Sequence, residues 1–95
     1  MISILDPDTE SLVKRIAAQH GARRVRVFGS VAKGLARPGS DLDLLIDLDS
    51  DRSLLDLVAI KQDLEDLLGY PVHVVTENSI SPYLRERILS EAIAL

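Results

Sequence analysis

Phe28-Gly29-Ser30-Val31-Ala32-Lys33-Gly34, followed after a short interval by Ser40-Asp41-Leu42-Asp43-Leu44-Leu45-Ile46-Asp47, is the stretch that decides how this chain is read. Its second half alternates. Leu42, Leu44, Ile46 and Leu48 fall on one side of an extended chain, and Asp41, Asp43, Leu45 and Asp47 on the other. That period of two predicts a strand from Asp41 to Leu48 with one apolar face. Asp41 and Asp43 then project from the same face, a costly pairing of like charges unless a cation sits between them. Magnesium suits such a pair, because it is hard, oxygen-seeking and often held by one or two carboxylates plus substrate phosphates. Two such ions ~3.5–4 Å apart could activate an attacking oxygen and steady a leaving one. Gly29 lets the backbone approach a phosphate, the following N–H groups and the Ser30 hydroxyl can donate to it, and Lys33 can add a positive charge. Taken singly, an Asp-x-Asp pair is the solvated side of a strand and a Gly-Ser pair is a turn. Taken together, eleven residues apart and with Gly34 and Gly39 shaping the loop between them, they read as a site for phosphate and metal.

The flanking segments supply a scaffold. Asp6-Pro7 starts a helix, since Asp caps and Pro fits the first turn; Leu12, Val13, Ile16 and Ala17 keep helical spacing, and Gly21 stops it. Arg23 to Phe28 alternates, Val25 and Val27 to one side and arginines to the other, and Gly29-Ser30 breaks that strand. Ser53 to Leu68 carries Leu57, Ile60, Leu64, Leu67 and Leu68 at helical spacing, closed by Gly69. Val72 to Thr76 is a β-branched strand, and Ser81-Pro82 opens a last helix with Leu84, Ile88, Leu89 and Ala92 on one face. The order α-β-loop-β-α-β-α predicts an α/β (α+β) fold, a small sheet with its helices on one face. The other sheet face, carrying Asp41, Asp43, Asp47 and His73, is then the working surface.

Composition limits what the site can serve. The 95 residues make a single domain, residues 1–95, with no linker or repeat. No cysteine is present, which excludes thiolate metal sites and cysteine nucleophiles. Eleven Lys and Arg against fifteen Asp and Glu give a net charge of −4, and only Phe28, Tyr70 and Tyr83 are aromatic. Autonomous nucleic-acid binding is therefore not expected, because it needs a basic face or a stacking platform. No apolar run approaches the roughly 18 residues of a membrane helix, and the first residues do not form a signal peptide, so a cytoplasmic location is expected.

Gly29-Ser30, Gly34 and Ser40-Asp41-Leu42-Asp43-Leu44 together resemble the signature of the DNA polymerase β-like nucleotidyltransferase superfamily. More narrowly, the chain resembles its minimal nucleotidyltransferase (MNT) domains from the leading helix to Ser81-Pro82-Tyr83-Leu84-Arg85-Glu86-Arg87. The resemblance implies transfer of a nucleoside monophosphate, usually AMP from ATP, with release of pyrophosphate. It implies triphosphate binding at Gly29 and Ser30, and magnesium at Asp41 and Asp43. It also implies an antitoxin paired with a helical HEPN-type ribonuclease toxin, which some members silence by adenylylating a tyrosine. One position departs from the pattern. The family's third carboxylate sits on the next strand, where this chain has His73 in Val72-His73-Val74-Val75. Strand parity sets His73 opposite Val72 and Val74, so it can share the face of Asp41 and Asp43. An imidazole can accept a proton, but it matches magnesium poorly. Weakened activity, a shifted metal preference, and lost catalysis with toxin binding retained all stay open on this reading. Asp47, on the same strand face, could partly substitute, though it reads better as a solvated strand end. His20 reads as a helix C-terminal residue and Arg23, Arg24 and Arg26 as a solvated strand face or, less simply, a contact for triphosphate or a partner. Leu54, Leu55 and Val58 read as a widened core face or, less simply, a partner surface.

Overall fold

Asp6 sets the first helix: its carboxylate accepts from the Thr9 N–H at 2.9 Å and from the Thr9 hydroxyl at 2.8 Å, and Pro7 occupies the first turn. In the computed structural model, which describes residues 6–35 and 41–95, helix α1 runs Pro7–Gln19 and stops at His20 and Gly21, the latter at φ +85°. Gly39 and Ser40 of the opening motif lie outside the described residues. Strand β1 spans Ala22–Phe28, a single helical turn α2 spans Gly29–Ala32, and strand β2 spans Leu42–Leu48. Helix α3, Leu54–Leu68, begins at a capping box in which Asp56 Oδ2 accepts from the Ser53 N–H at 3.0 Å. It ends at Gly69 in the left-handed conformation. Strand β3, Val72–Val75, is followed by a 3-10 turn at Glu77–Ser79, helix α4 at Pro82–Glu91, and a two-residue strand β4 at Ile93–Ala94.

The sheet order is β3-β2-β1-β4. β1 is antiparallel to both β2 and β4, while β2 and β3 are parallel and joined by the α3 crossover, so the sheet is mixed. The alternation read from the sequence decides the core. Val25 and Val27, Leu42, Leu44 and Ile46, and Val72 meet Val13, Ile16 and Ala17 of α1 and Leu57, Ile60 and Leu64 of α3. Removing these branched side chains from water is the main favourable term of folding.

Three features depart from the sequence reading. Leu54, Leu55 and Val58 are 74%, 78% and 55% exposed; they stand at the start of α3 on a stripe turned away from the buried Leu57, Ile60 and Leu64. Helix α4 buries no side chain fully. Leu84 stays exposed while Ile88 and Leu89 are half-buried, and the helix touches α2 rather than joining the α1–α3 core. The second sheet face is also not open along its whole length, for Leu45 and Arg26 are both buried there. The end carrying Asp41, Asp43 and His73 remains half-exposed, as does the opposite end at Arg24 and Asp47.

Candidate active site

Gly29 stands at the junction of β1 and α2 with φ +74°, a conformation that L side chains rarely adopt. A Cβ at this position would run into Asp43 Oδ2. The register explains the proximity: Phe28 pairs with Asp43 across the antiparallel β1–β2 ladder, so the next residue turns over that carboxylate. The two halves of the sequence motif are therefore in contact. On the other side of β2, Asp43 pairs in register with His73 of β3. The His73 imidazole lies with Nε2 2.6 Å from Asp41 Oδ2. Asp41, Asp43 and His73 thus share one end of one sheet face, as strand parity predicts.

Burial pushes the Asp43 carboxyl above the ordinary aspartate range; the nearby His73 pulls it back and the charge of Asp41 adds to the rise. A half-buried carboxylate that is ionised at a cost is a position where a cation gains. The donor set fits a hard divalent ion. Two oxygen-bearing side chains sit beside a turn with no side chain of its own, where phosphate oxygens could complete the shell. Among the described residues no three carboxylate or imidazole side chains are gathered around one point. The protein's share of such a shell is therefore the Asp41–Asp43 pair, with the His73 ring turned onto Asp41.

Ser30 lies in the single turn of α2, its carbonyl accepting from the Leu35 N–H at 2.9 Å. Lys33 follows at the end of that turn, its N–H bonded to the Gly29 carbonyl at 3.1 Å, and its ammonium pairs with Glu91 of α4 at 3.2 Å. That contact, with a smaller part from Arg87, holds the Glu91 carboxyl below its ordinary range. Lys33 is thus beside the turn but shared with α4, and no feature of the sequence pointed to Glu91.

The arginines were read as a solvated face, and Arg26 overturns that reading. Its side chain is only 8% exposed and donates to Glu77 at 2.7 Å and, at 3.5 Å, to Asp47. Glu77 is held below its ordinary range chiefly by Arg26, and Arg85 of α4 adds a contact at 3.6 Å. Asp47 also lies 4.0 Å from Arg24. Asp47 is therefore a counter-ion for arginine, four residues or about 13 Å along β2 from Asp43. It does not replace the missing third carboxylate. Arg23 and Arg24 do stay exposed. His20 ends α1 as read, and its Nε2 meets Asp63 of α3 at 2.9 Å, tying the two core helices together.

A glycine turn thus stands against paired carboxylates at the end of a mixed sheet. The chain belongs to the nucleotidyltransferase domain family, whose pattern matches residues 10–95. A chain of Methanocaldococcus jannaschii, provisionally named a protein adenylyltransferase, is 46% identical over 78 residues, covering 82% of this chain and 84% of the relative. A solved structure described provisionally as a minimal nucleotidyltransferase is 52% identical, covers 93% of this chain and 89% of its own, and superposes with a TM-score of 0.80. The Shewanella oneidensis complex of a tri-AMPylated HEPN toxin with its MNT antitoxin matches with a TM-score of 0.72. It covers 95% of this chain and 71% of that one, and at 15% identity it shows a shared fold. The chain is a nucleotidyltransferase. Among the described residues no helix is long and apolar enough to cross a membrane.

Proposed function

We propose that this chain transfers AMP from ATP to a hydroxyl side chain of a HEPN-type toxin and so acts, in the cytoplasm, as that toxin's antitoxin. The observation that carries this reading is the contact between Gly29 and Asp43, which sets a phosphate-cradling turn against a carboxylate pair. Gly29 and Ser30 would hold the triphosphate, with Lys33 adding charge at the cost of its contact with Glu91. Asp41 and Asp43 would hold magnesium, which when bound neutralises phosphate charge and favours the ionised acceptor oxygen. The acceptor oxygen forms a bond to the α-phosphorus, the bond from that phosphorus to the bridging oxygen of the β-phosphate breaks, and pyrophosphate leaves with the electron pair. The acceptor's proton needs a base, and His73 is the imidazole on this face. Catalysis of this kind rests on positioning and charge, which a small scaffold can supply once the partner brings the acceptor. The toxin–antitoxin neighbour of shared fold, and the M. jannaschii relative's name, support both the acceptor class and the partner.

A second reading is that the chain neutralises the toxin by binding alone. It is favoured by His73, which stands at the family's third-carboxylate position with its Nε2 turned onto Asp41. Co-expression with the protein of the adjacent reading frame, followed by intact mass measurement of that protein, separates the two. A stable complex whose partner gains adenylyl groups with native protein but not with Asp41→Asn supports transfer. A stable complex with no mass gain selects binding alone. Absence of any complex overturns both.

A further inference from the structure

An imidazole set among carboxylates changes which cation a site can take. β3 runs parallel to β2 and pairs His73 in register with Asp43, so the two side chains leave the same face of the sheet. The His73 ring reaches back to Asp41, with Nε2 2.6 Å from Oδ2. The two side chains are 54% and 44% exposed, so an ion can reach them from solvent. The one other histidine, His20, meets Asp63 at 2.9 Å between α1 and α3, on the opposite side of the sheet.

Nε2 and Oδ2 are both ligand atoms. Two atoms bound to one ion by bonds of ~2.1 Å lie about 3 Å apart, so this pair opens by a few tenths of an ångström to admit a metal. The proton that joins them in the metal-free protein then leaves to solvent. Magnesium and the transition ions respond oppositely to such a pair. Magnesium prefers oxygen and dehydrates reluctantly, so for it the ring merely occupies one oxygen of Asp41. First-row transition ions take imidazole nitrogen and carboxylate oxygen together, with affinity rising from manganese towards copper. Asp43, in register beside His73, adds a second carboxylate, and water or phosphate oxygens are left to complete the shell. We propose that His73 is itself a metal ligand, so that this site selects a divalent first-row transition ion over magnesium. The proposal rests on the reading of Asp41 and Asp43 as metal ligands and adds the imidazole to them.

The test uses the full chain, stripped of metal and titrated calorimetrically with manganese(II) chloride and, separately, with magnesium chloride. Manganese is the weakest nitrogen binder of the series and therefore the most demanding probe. It should bind more tightly than magnesium. Its affinity should fall roughly tenfold or more in His73→Ala, while magnesium affinity does not fall. His73 is half exposed, so the substitution leaves the fold intact. Pulsed electron paramagnetic resonance of bound manganese should show coupling to an imidazole nitrogen in the native protein and in His20→Gln, and none in His73→Ala. His73→Asp should lose that coupling and gain magnesium affinity. No nitrogen coupling in the native protein, coupling that persists in His73→Ala, or equal loss of both ions in that variant would overturn the proposal. Native affinity for both ions in Asp41→Asn and in Asp43→Asn would instead overturn the underlying reading of the carboxylate pair, and the proposal with it.

Discussion

Gly29→Ala attacks the site at the point where its two halves touch. Two costs add. An alanine held at φ +74° is in the left-handed region, worth about 1–2 kcal/mol for a residue with a Cβ. The new methyl also falls on Asp43 Oδ2, so the carboxylate must rotate away or β1 and β2 must part at the Phe28–Asp43 pair. For a domain of this size each kcal/mol moves the melting temperature by about 4–8 °C, so the conformational cost alone lowers it by about 4–16 °C. The contact cost is separable, because trimming the carboxylate in Gly29→Ala/Asp43→Ala relieves the clash and leaves the backbone strain. Thermal unfolding of the native protein, both single variants and the double variant closes the cycle. Gly29→Ala should cost less stability in the Asp43→Ala background than alone. Magnesium-dependent ATP binding, followed by calorimetry, should be lost in all three variants. Equal cost in both backgrounds would refute the contact between turn and carboxylate. Native ATP binding by Gly29→Ala would refute the role given to that contact.

Asp43→Asn should raise the melting temperature of the metal-free protein at neutral pH. The folded-state pKa is raised, so the stability this group contributes is complete below the ordinary aspartate range and is lost as pH rises through the higher folded value. Melting curves across that window, in EDTA, should converge for native and variant at the acid end and separate above it. Arg26→Ala should lower stability by about 1–3 kcal/mol in chemical denaturation, because it removes a buried side chain together with the bonds it donates to Glu77 and Asp47. Glu77→Gln should flatten the acid limb of the stability profile. The Glu77 pKa is lowered by Arg26, so its contribution is present above the ordinary glutamate range and disappears as pH falls through the depressed value. His73→Asp should increase magnesium-dependent transfer, since a carboxylate there can take the acceptor's proton as the imidazole does and also suits magnesium; a fall would show that the imidazole, as base or through its contact with Asp41, does what a carboxylate cannot.

The strands that carry the core were legible because burial imposes a period on the sequence. Leu42, Leu44 and Ile46 alternate as β2 requires, and Leu57, Ile60 and Leu64 keep helical spacing along α3. The facing of Asp41, Asp43 and His73 was legible for the same reason. The contact between Gly29 and Asp43 was not, since it depends on the register of β1 against β2. No periodicity encodes register. Arg26 was misread because its partner Glu77 lies 51 residues on and reaches it from a 3-10 turn, so an alternating arginine looked solvated. β4 pairs through two residues, too few for any pattern, and the turn of α2 is equally short. Helix α4 shows the converse failure: its apolar spacing is real, but nothing among the described residues covers Leu84.

Transfer of an adenylyl group from ATP to a protein hydroxyl at this site, as proposed, is decided by which phosphorus travels. The purified chain and the HEPN-type protein proposed as its partner are incubated with magnesium and ATP labelled at either the α- or the γ-phosphorus. Label on the partner from the α-position alone, dependent on Asp41 and Asp43, is the predicted result. Label from the γ-position, or α-label that persists in Asp41→Asn and Asp43→Asn, would contradict the account.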